Sequence, residues 1–419
     1  MPSDDMRILF LAHRLPCPPD KGERIRAYHE LKYLGERHEV DLFCFADTQQ
    51  DAHKREQCQE ICRSVYVEVL NKPLRLLRAV GNLVRGKPMS WGFFHSQKFG
   101  HRVQEALRKR HYDVIFVYCS SMGQFVPWPA PAPLVVDFVD ADSAKWMQYA
   151  LISRPPYSWL YTHEARAVAA FESALGRRAT LSLATTSHDA RELCAAAAND
   201  FKATVMPNGT EIPTGLPEAA NLGIRKLQPF VTFIGTMNYR PNCDAVRHFA
   251  HDIYPLVRRR YPRLNFVIVG RNPDHRVRSL ASIPGVTVTG AVPNVYEYFQ
   301  RAEVAVAPFR ISQGFHNKIA ESLAMGTPVV TSSRAAAGVG LSEREGLFIA
   351  ESPGEFADAI AFVLDHPQLH SSLQKSVPYV RKKLSWETQL QKLEELMMQV
   401  VAGGEPFPAT IDSVAGNQR

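Results

Sequence analysis

Two series of short apolar runs, each alternating with longer helix-like stretches and parted by one polar interval, constrain the fold of this 419-residue chain more than any other feature. The first series places strands at 8–12, 40–45, 65–69, 114–117, 134–137, 181–186 and 204–206, with helical stretches such as 24–37, 52–62 and 161–175 between them. The second places strands at 231–234, 266–269, 286–289, 304–307 and 329–331, followed by a last long helix at 385–401. A strand covered on both faces reads as an unbroken apolar run, and a helix between strands returns the chain parallel to its start. The expected class is α/β with parallel sheets. The pattern lapses from 213 to 228, which divides the chain into a domain at 1–212, a linker, a second domain at 229–384, the helix and a loose tail at 403–419. Each half is long enough to bury its own core.

Within the second series, the segment 307–330, APFRISQGFHNKIAESLAMGTPVV, reads as strand, loop, helix and strand. The helix opens near His316 and ends at Gly326. Asn317 and Lys318 lie in its first turn and Glu321 one turn further on. Amide groups at a helix N-terminus, the helix dipole and a lysine together suit a phosphate, and the carboxylate can accept hydrogen bonds from sugar hydroxyls. A nucleotide sugar fits that combination. A surface ion pair between Lys318 and Glu321 is the plain alternative.

The net charge of +7 is concentrated: residues 72–110 hold ten Lys/Arg and one acid, a local +9. On a helical wheel Leu76, Leu77, Val80, Leu83 and Val84 fall on one side and Arg75, Arg78 and Arg85 on the other. Such a segment is expected either to meet an anionic membrane surface or an anionic acceptor, or to pack its apolar side on the core with a basic outer face. No interleaved aromatic pattern supports nucleic acid. Seven scattered cysteines and an N-terminus without a long apolar run after a basic start point to a reducing cytoplasm, with Cys58 and Cys62 read as free thiols. No stretch approaches the ~20 apolar residues that span a bilayer.

Several motifs fail on context. GNLVRGK at 81–87 has phosphate-loop spacing, but Pro88 stands where a hydroxyl should hold magnesium and no strand precedes it. No GxGxxG follows a strand, and no GxSxG elbow occurs. Asn208-Gly209-Thr210 has the form of a glycosylation sequon, which a cytoplasmic chain never presents to that machinery.

PNG at 207–209, FIGTMNYRPN at 233–242, VIVGRNP at 267–273, VTVTGAVPNV at 286–295 and the 308–330 segment together resemble family 4 of the retaining glycosyltransferases. GERIRAYHEL at 22–31, VDFVDADSAKW at 136–146 and GFHNK resemble, more narrowly, sugar transferases of bacterial exopolysaccharide clusters that also contain exosortase-type proteins. The resemblance implies a GT-B fold: two Rossmann-like domains facing each other across a cleft, the donor held by the second, and a C-terminal helix crossing back to the first. It implies transfer from a nucleotide-sugar donor to a glycan or lipid-linked acceptor, with retention and without a metal or other cofactor. Glu321 matches the second of two glutamates eight positions apart, expected on the ribose hydroxyls. Gln313 stands where the first is usual, and it keeps hydrogen bonding but not the charge.

Lys318, Gln313 and Asp140 are the expected catalytic residues under this resemblance. Donor binding is expected from Glu321, Asn317, Gly314, Phe315, His316, Arg310, Arg240, Gly235, Asn238 and Gly22. Gly22, without a side chain, lets its loop approach a phosphate, although an ordinary turn glycine would look the same. Asp140 and Asp142 follow a strand end and read either as partners for a sugar hydroxyl or as helix caps. Two other readings stand beside transfer: a non-hydrolysing nucleotide-sugar epimerase, and a non-catalytic member of a polysaccharide assembly.

Overall fold

Apolar runs such as Ile8–Leu11 and Val114–Val117 are fully buried, and each becomes a strand paired on both sides. The computed structural model describes residues 5–19, 22–70, 72–212, 224, 226–312 and 314–404. The expected linker falls largely, and the expected tail almost wholly, outside these residues. The chain divides into one unit of Met1–Met206 with Gln389–Arg419 and another of Pro207–Thr388.

The first unit is built on β1 (Arg7–Ala12), β2 (Glu39–Ala46), β3 (Ser64–Val69), β4 (Val114–Tyr118), β5 (Leu134–Asp137), β6 (Leu181–Ala184) and β7 (Ala203–Val205). They form one parallel sheet in the order β3-β2-β1-β4-β5-β6-β7. The second contains β8 (Phe230–Ile234), β9 (Asn265–Val269), β10 (Val286–Gly290), β11 (Val304–Ala307), β12 (Val329–Thr331) and β13 (Leu347–Ile349), parallel in the order β10-β9-β8-β11-β12-β13. In each sheet the chain builds outward to one side, then returns to build the other. That reversal leaves a crevice at the carboxyl ends of β1 and β4 in one unit and of β8 and β11 in the other, where doubly wound sheets take their ligands.

Most expected strands lie within two residues of those observed. β13 was not foreseen. The expected helix 52–62 is two short pieces, Gln49–His53 and Glu56–Gln59, and starts early because Thr48 accepts the Asp51 amide at 3.1 Å. The last helix, Trp386–Val401, packs on the first unit from Gln389 onward, with Leu393 and Met397 fully buried and Tyr33 donating to Glu394 at 2.8 Å.

One expectation is corrected, and one alternative left open is decided. Cys58 is not a free thiol: it is bonded to Cys17, which the loop after β1 brings to a Cα separation of 6.0 Å, while Cys62 is free and buried. A sequence separation of 41 residues hides that pairing. The helix Lys72–Val84 also stands opposite to the core-packing expectation. Its Arg75 is buried against Asp47, with Nη1 and Oδ1 2.9 Å apart, whereas Leu76, Leu77, Val80 and Val84 face solvent. No helix among the described residues is long and apolar enough to cross a membrane.

Candidate active site

β11 ends at Ala307, and after a loop the helix Asn317–Ala324 begins with no side chain capping its first amides. Ile319, Ala320, Leu323 and Ala324 seat one face in the core. The remaining face leaves Asn317, Lys318 and Glu321 half-buried at the carboxyl end of the sheet.

Lys318 is the best-defined group there. Its Nζ donates to Asn242 Oδ1 at 2.9 Å and lies 4.8 Å and 4.7 Å from the ring centroids of Phe233 and Phe309. Asn242, on the helix Arg240–His248, is fixed in turn by donating to the Thr236 carbonyl at 2.9 Å. Burial pushes the Lys318 ammonium down to about 7, with Glu321 opposing the shift, and burial raises the Glu321 carboxyl, with Lys318 opposing. This is a half-formed pair: a cation that gains by meeting an anion, and a carboxylate within its field.

Gly235 makes room for the pair. A Cβ there would meet Asn242 Nδ2 at 2.7 Å and Lys318 Nζ at 3.3 Å. Its carbonyl in turn requires Gly270, where φ is +151° and a Cβ would fall 1.6 Å away. The two strand ends thus meet as bare backbone, with Gly235 beside the lysine.

The other expected residues separate into groups. His316 stacks on Phe309 at 4.3 Å and bonds Ser312 Oγ at 2.7 Å; burial, then Lys318, pushes it down to about 3, so it is a neutral ring. Gly314 is buried at φ +73°, and Phe315 packs against the core of its unit. Asn317 Oδ1 accepts from Asn208 at 3.3 Å, and Thr210 N donates to Leu384 O at 2.6 Å, so the PNG segment is a structural tie to the helix mouth. Arg310 makes a two-pronged ion pair with Asp244, at 3.0 Å and 2.5 Å. Arg240 and Asn238 are exposed after β8, and Gly22 opens the helix Gly22–Gly35. Gln313 lies outside the described residues.

Asp140 belongs to the first unit, after β5. It does not cap the following helix, Asp142–Leu151; its Oδ1 accepts from Thr185 at 3.3 Å. Burial, then the Asp189 charge, raises it to about 7. Around the same strand ends lie groups the sequence reading passed over. His13, after β1, is held neutral by burial at about 3, and Lys145 pairs with Asp142. Glu172 is pushed up to about 8 by burial, with Asp142 adding to the shift. Asn242, Phe233 and Phe309 were missed in the second unit; Asn242 stood inside the quoted RPN motif, but nothing in a sequence shows which side chain a lysine 76 residues away will meet.

Two family models match in succession: "Glycosyl transferase 4-like domain" over residues 21–209 and "Glycosyl transferases group 1" over residues 228–366. With the two Rossmann-like sheets, they define a glycosyltransferase of the GT-B fold. Within that class the chain belongs to the family-4-like glycosyltransferases. Among solved structures it is similar to sucrose-phosphate synthase from Thermosynechococcus elongatus, at TM-score 0.67 and 16% identity over 95% of this chain and 100% of that one. It is also similar to Anabaena HepE in complex with UDP, at 0.61 and 16% over 93% and 99%. A more distant likeness, 0.54 and 11% over 96% and 98%, is to a putative UDP-N-acetylglucosamine 2-epimerase from Listeria monocytogenes. No curated protein matches the sequence.

Proposed function

We propose that the protein transfers a sugar from a uridine diphosphate sugar to a glycan or lipid-linked acceptor with retention of configuration, in exopolysaccharide assembly on the cytoplasmic side. The observation that carries this reading is the Lys318 ammonium, held by Asn242 beside the bare Gly235 backbone at the mouth of a helix. A diphosphate there meets a cation and helix amides, which stabilise charge as it develops on the leaving group without a metal. HepE holds UDP and UDP-glucose in solved structures, which supports a uridine donor.

In this reading Glu321 accepts the ribose hydroxyls, Gly314, Phe315 and His316 border the sugar and diphosphate, and Gln313 keeps the donor-hydroxyl role that the family resemblance implies. Asp140 receives a hydroxyl of the transferred sugar or of the acceptor. The bond from C1 to the diphosphate oxygen breaks, a bond from C1 to the acceptor oxygen forms on the same face, and the acceptor proton passes to the departing diphosphate. Retention rests on the family resemblance.

UDP release from a panel of UDP-sugars, with and without glycan and polyprenyl-phosphate-linked acceptors, tests the proposal. Release that requires an acceptor and falls at least ~100-fold in Lys318→Ala supports it. The likeness to an epimerase fold keeps one rival open, and epimerised UDP-sugar formed without acceptor would sink the transferase reading.

A further inference from the structure

The helix Lys72–Val84 is amphipathic and faces the wrong way for a soluble surface. Leu76, Leu77, Val80 and Val84 are 61%, 69%, 52% and 82% exposed, while Arg75 is 5% exposed. Its inward side is held by polar bonds: Arg75 to Asp47 and to the Phe93 carbonyl, and Arg78 to the His95 carbonyl. The following helix Met89–Phe93 fits so closely that a Cβ on Gly92 would lie 2.6 Å from the Arg78 carbonyl. Rotating the apolar face inward would break all of these contacts. The orientation is built in, and an exposed apolar stripe of this kind calls for a cover.

The rim identifies the cover. A groove of about 530 Å³ beside the stripe is lined by Leu74, Leu77, Trp91, Arg78, Arg85 and Lys87. Arg78 spends its hydrogen bond on a carbonyl, which leaves its charge uncancelled, and Arg85 and Lys87 are exposed. A second copy seated on this face would bring like cations together. An anionic bilayer supplies both complements, acyl chains for the leucines and headgroups for the cations. Met89 and Ser90 donate to Glu164 on the helix Tyr157–Gly176, and that helix begins, about 10 Å along its axis, with the exposed Tyr157 and Trp159. Aromatic side chains of this kind favour the headgroup layer.

We infer that the outward apolar face of Lys72–Val84 inserts shallowly into an anionic lipid bilayer, with Arg78, Arg85 and Lys87 on the headgroups. The contact is apolar at its centre, not the basic face alone. It goes beyond the transferase proposal and does not depend on the donor site.

Co-sedimentation of the full-length protein with phosphatidylcholine vesicles, with and without phosphatidylglycerol, tests it. Wild type is expected to sediment with the anionic vesicles. A Leu77→Asp/Val84→Asp variant and an Arg85→Glu/Lys87→Glu variant are each expected to lose at least about tenfold in partition. Stabilisation by UDP-glucose should be unchanged in both, so failure at the membrane is distinguishable from failure of the donor reading. The inference is overturned if folded wild type stays in the supernatant, if the aspartate variant sediments like wild type, or if those aspartates instead convert a dimer to a monomer.

Discussion

Lys318 Nζ and Asn242 Oδ1 lie 2.9 Å apart, joining the helix after β11 to the helix after β8 across the reversal point of the second sheet. The amide holds the ammonium where two strand ends leave backbone bare. Lys318→Ala should reduce kcat/KM by about 100- to 1,000-fold, as loss of one preorganised charge-stabilising donor does. Asn242→Ala leaves the charge but frees its position, and about tenfold is expected, near the net worth of one hydrogen bond. Steady-state UDP release measures both.

Burial sets Lys318 near 7 in the free protein, so at pH 8 most of it is neutral. A bound diphosphate favours the cation, and donor binding at pH 8 should take up close to one proton, falling toward none at pH 6. Calorimetry of UDP-glucose binding in buffers of different ionisation enthalpy reads this directly. Lys318→Arg, charged throughout, should remove the uptake; unchanged uptake in that variant would assign the proton to another group.

Gly235→Ala and Gly270→Ala should fail differently. The first places a methyl against the ends of two side chains, Asn242 and Lys318, rather than against backbone, and is expected to fold while displacing that pair and losing UDP-glucose stabilisation. The second drives a Cβ into the Gly235 carbonyl at a φ of +151° and should cost about 3 kcal/mol or more. Thermal unfolding with and without UDP-glucose separates the two.

Arg26 in the first unit is 2% exposed and bonds Asp137 at 2.6 Å, Glu30 at 2.9 Å and the Met206 carbonyl at 2.8 Å. Burial already raises Glu30 well above the usual carboxylate range. Arg26→Met strands two buried carboxylates and should cost about 3–5 kcal/mol at neutral pH. Because the folded variant then binds protons more tightly than the unfolded chain, part of the loss should return as pH falls. Denaturant unfolding at pH 5 and pH 8 checks both the size and the sign.

The strand runs were legible because a strand buried on both faces must be apolar throughout, and Leu134–Asp137, Val304–Ala307 and Val329–Thr331 have the observed bounds. The helix mouth at Lys318 and Glu321 was legible for a related reason, since its groups are neighbours in sequence. The ion pair of Arg310 was not legible, because its partner Asp244 lies 66 residues away and a cation near a phosphate loop looks alike whether it is paired or not. The orientation of the Lys72–Val84 helix was left open by the sequence because periodicity tells which residues share a face but not which way that face turns.

The amino-acid sequence by itself determined two doubly wound α/β halves and a cationic helix mouth in the second. Local periodicity and adjacent chemistry carry that information along the chain. The tertiary structure alone decided that Asn242 holds Lys318, that Gly235 clears the space beside it, that Cys17 meets Cys58, and that an apolar helix face points outward. Each of these depends on contacts between residues apart in sequence, and their free energies exist only once the unit that carries them is assembled.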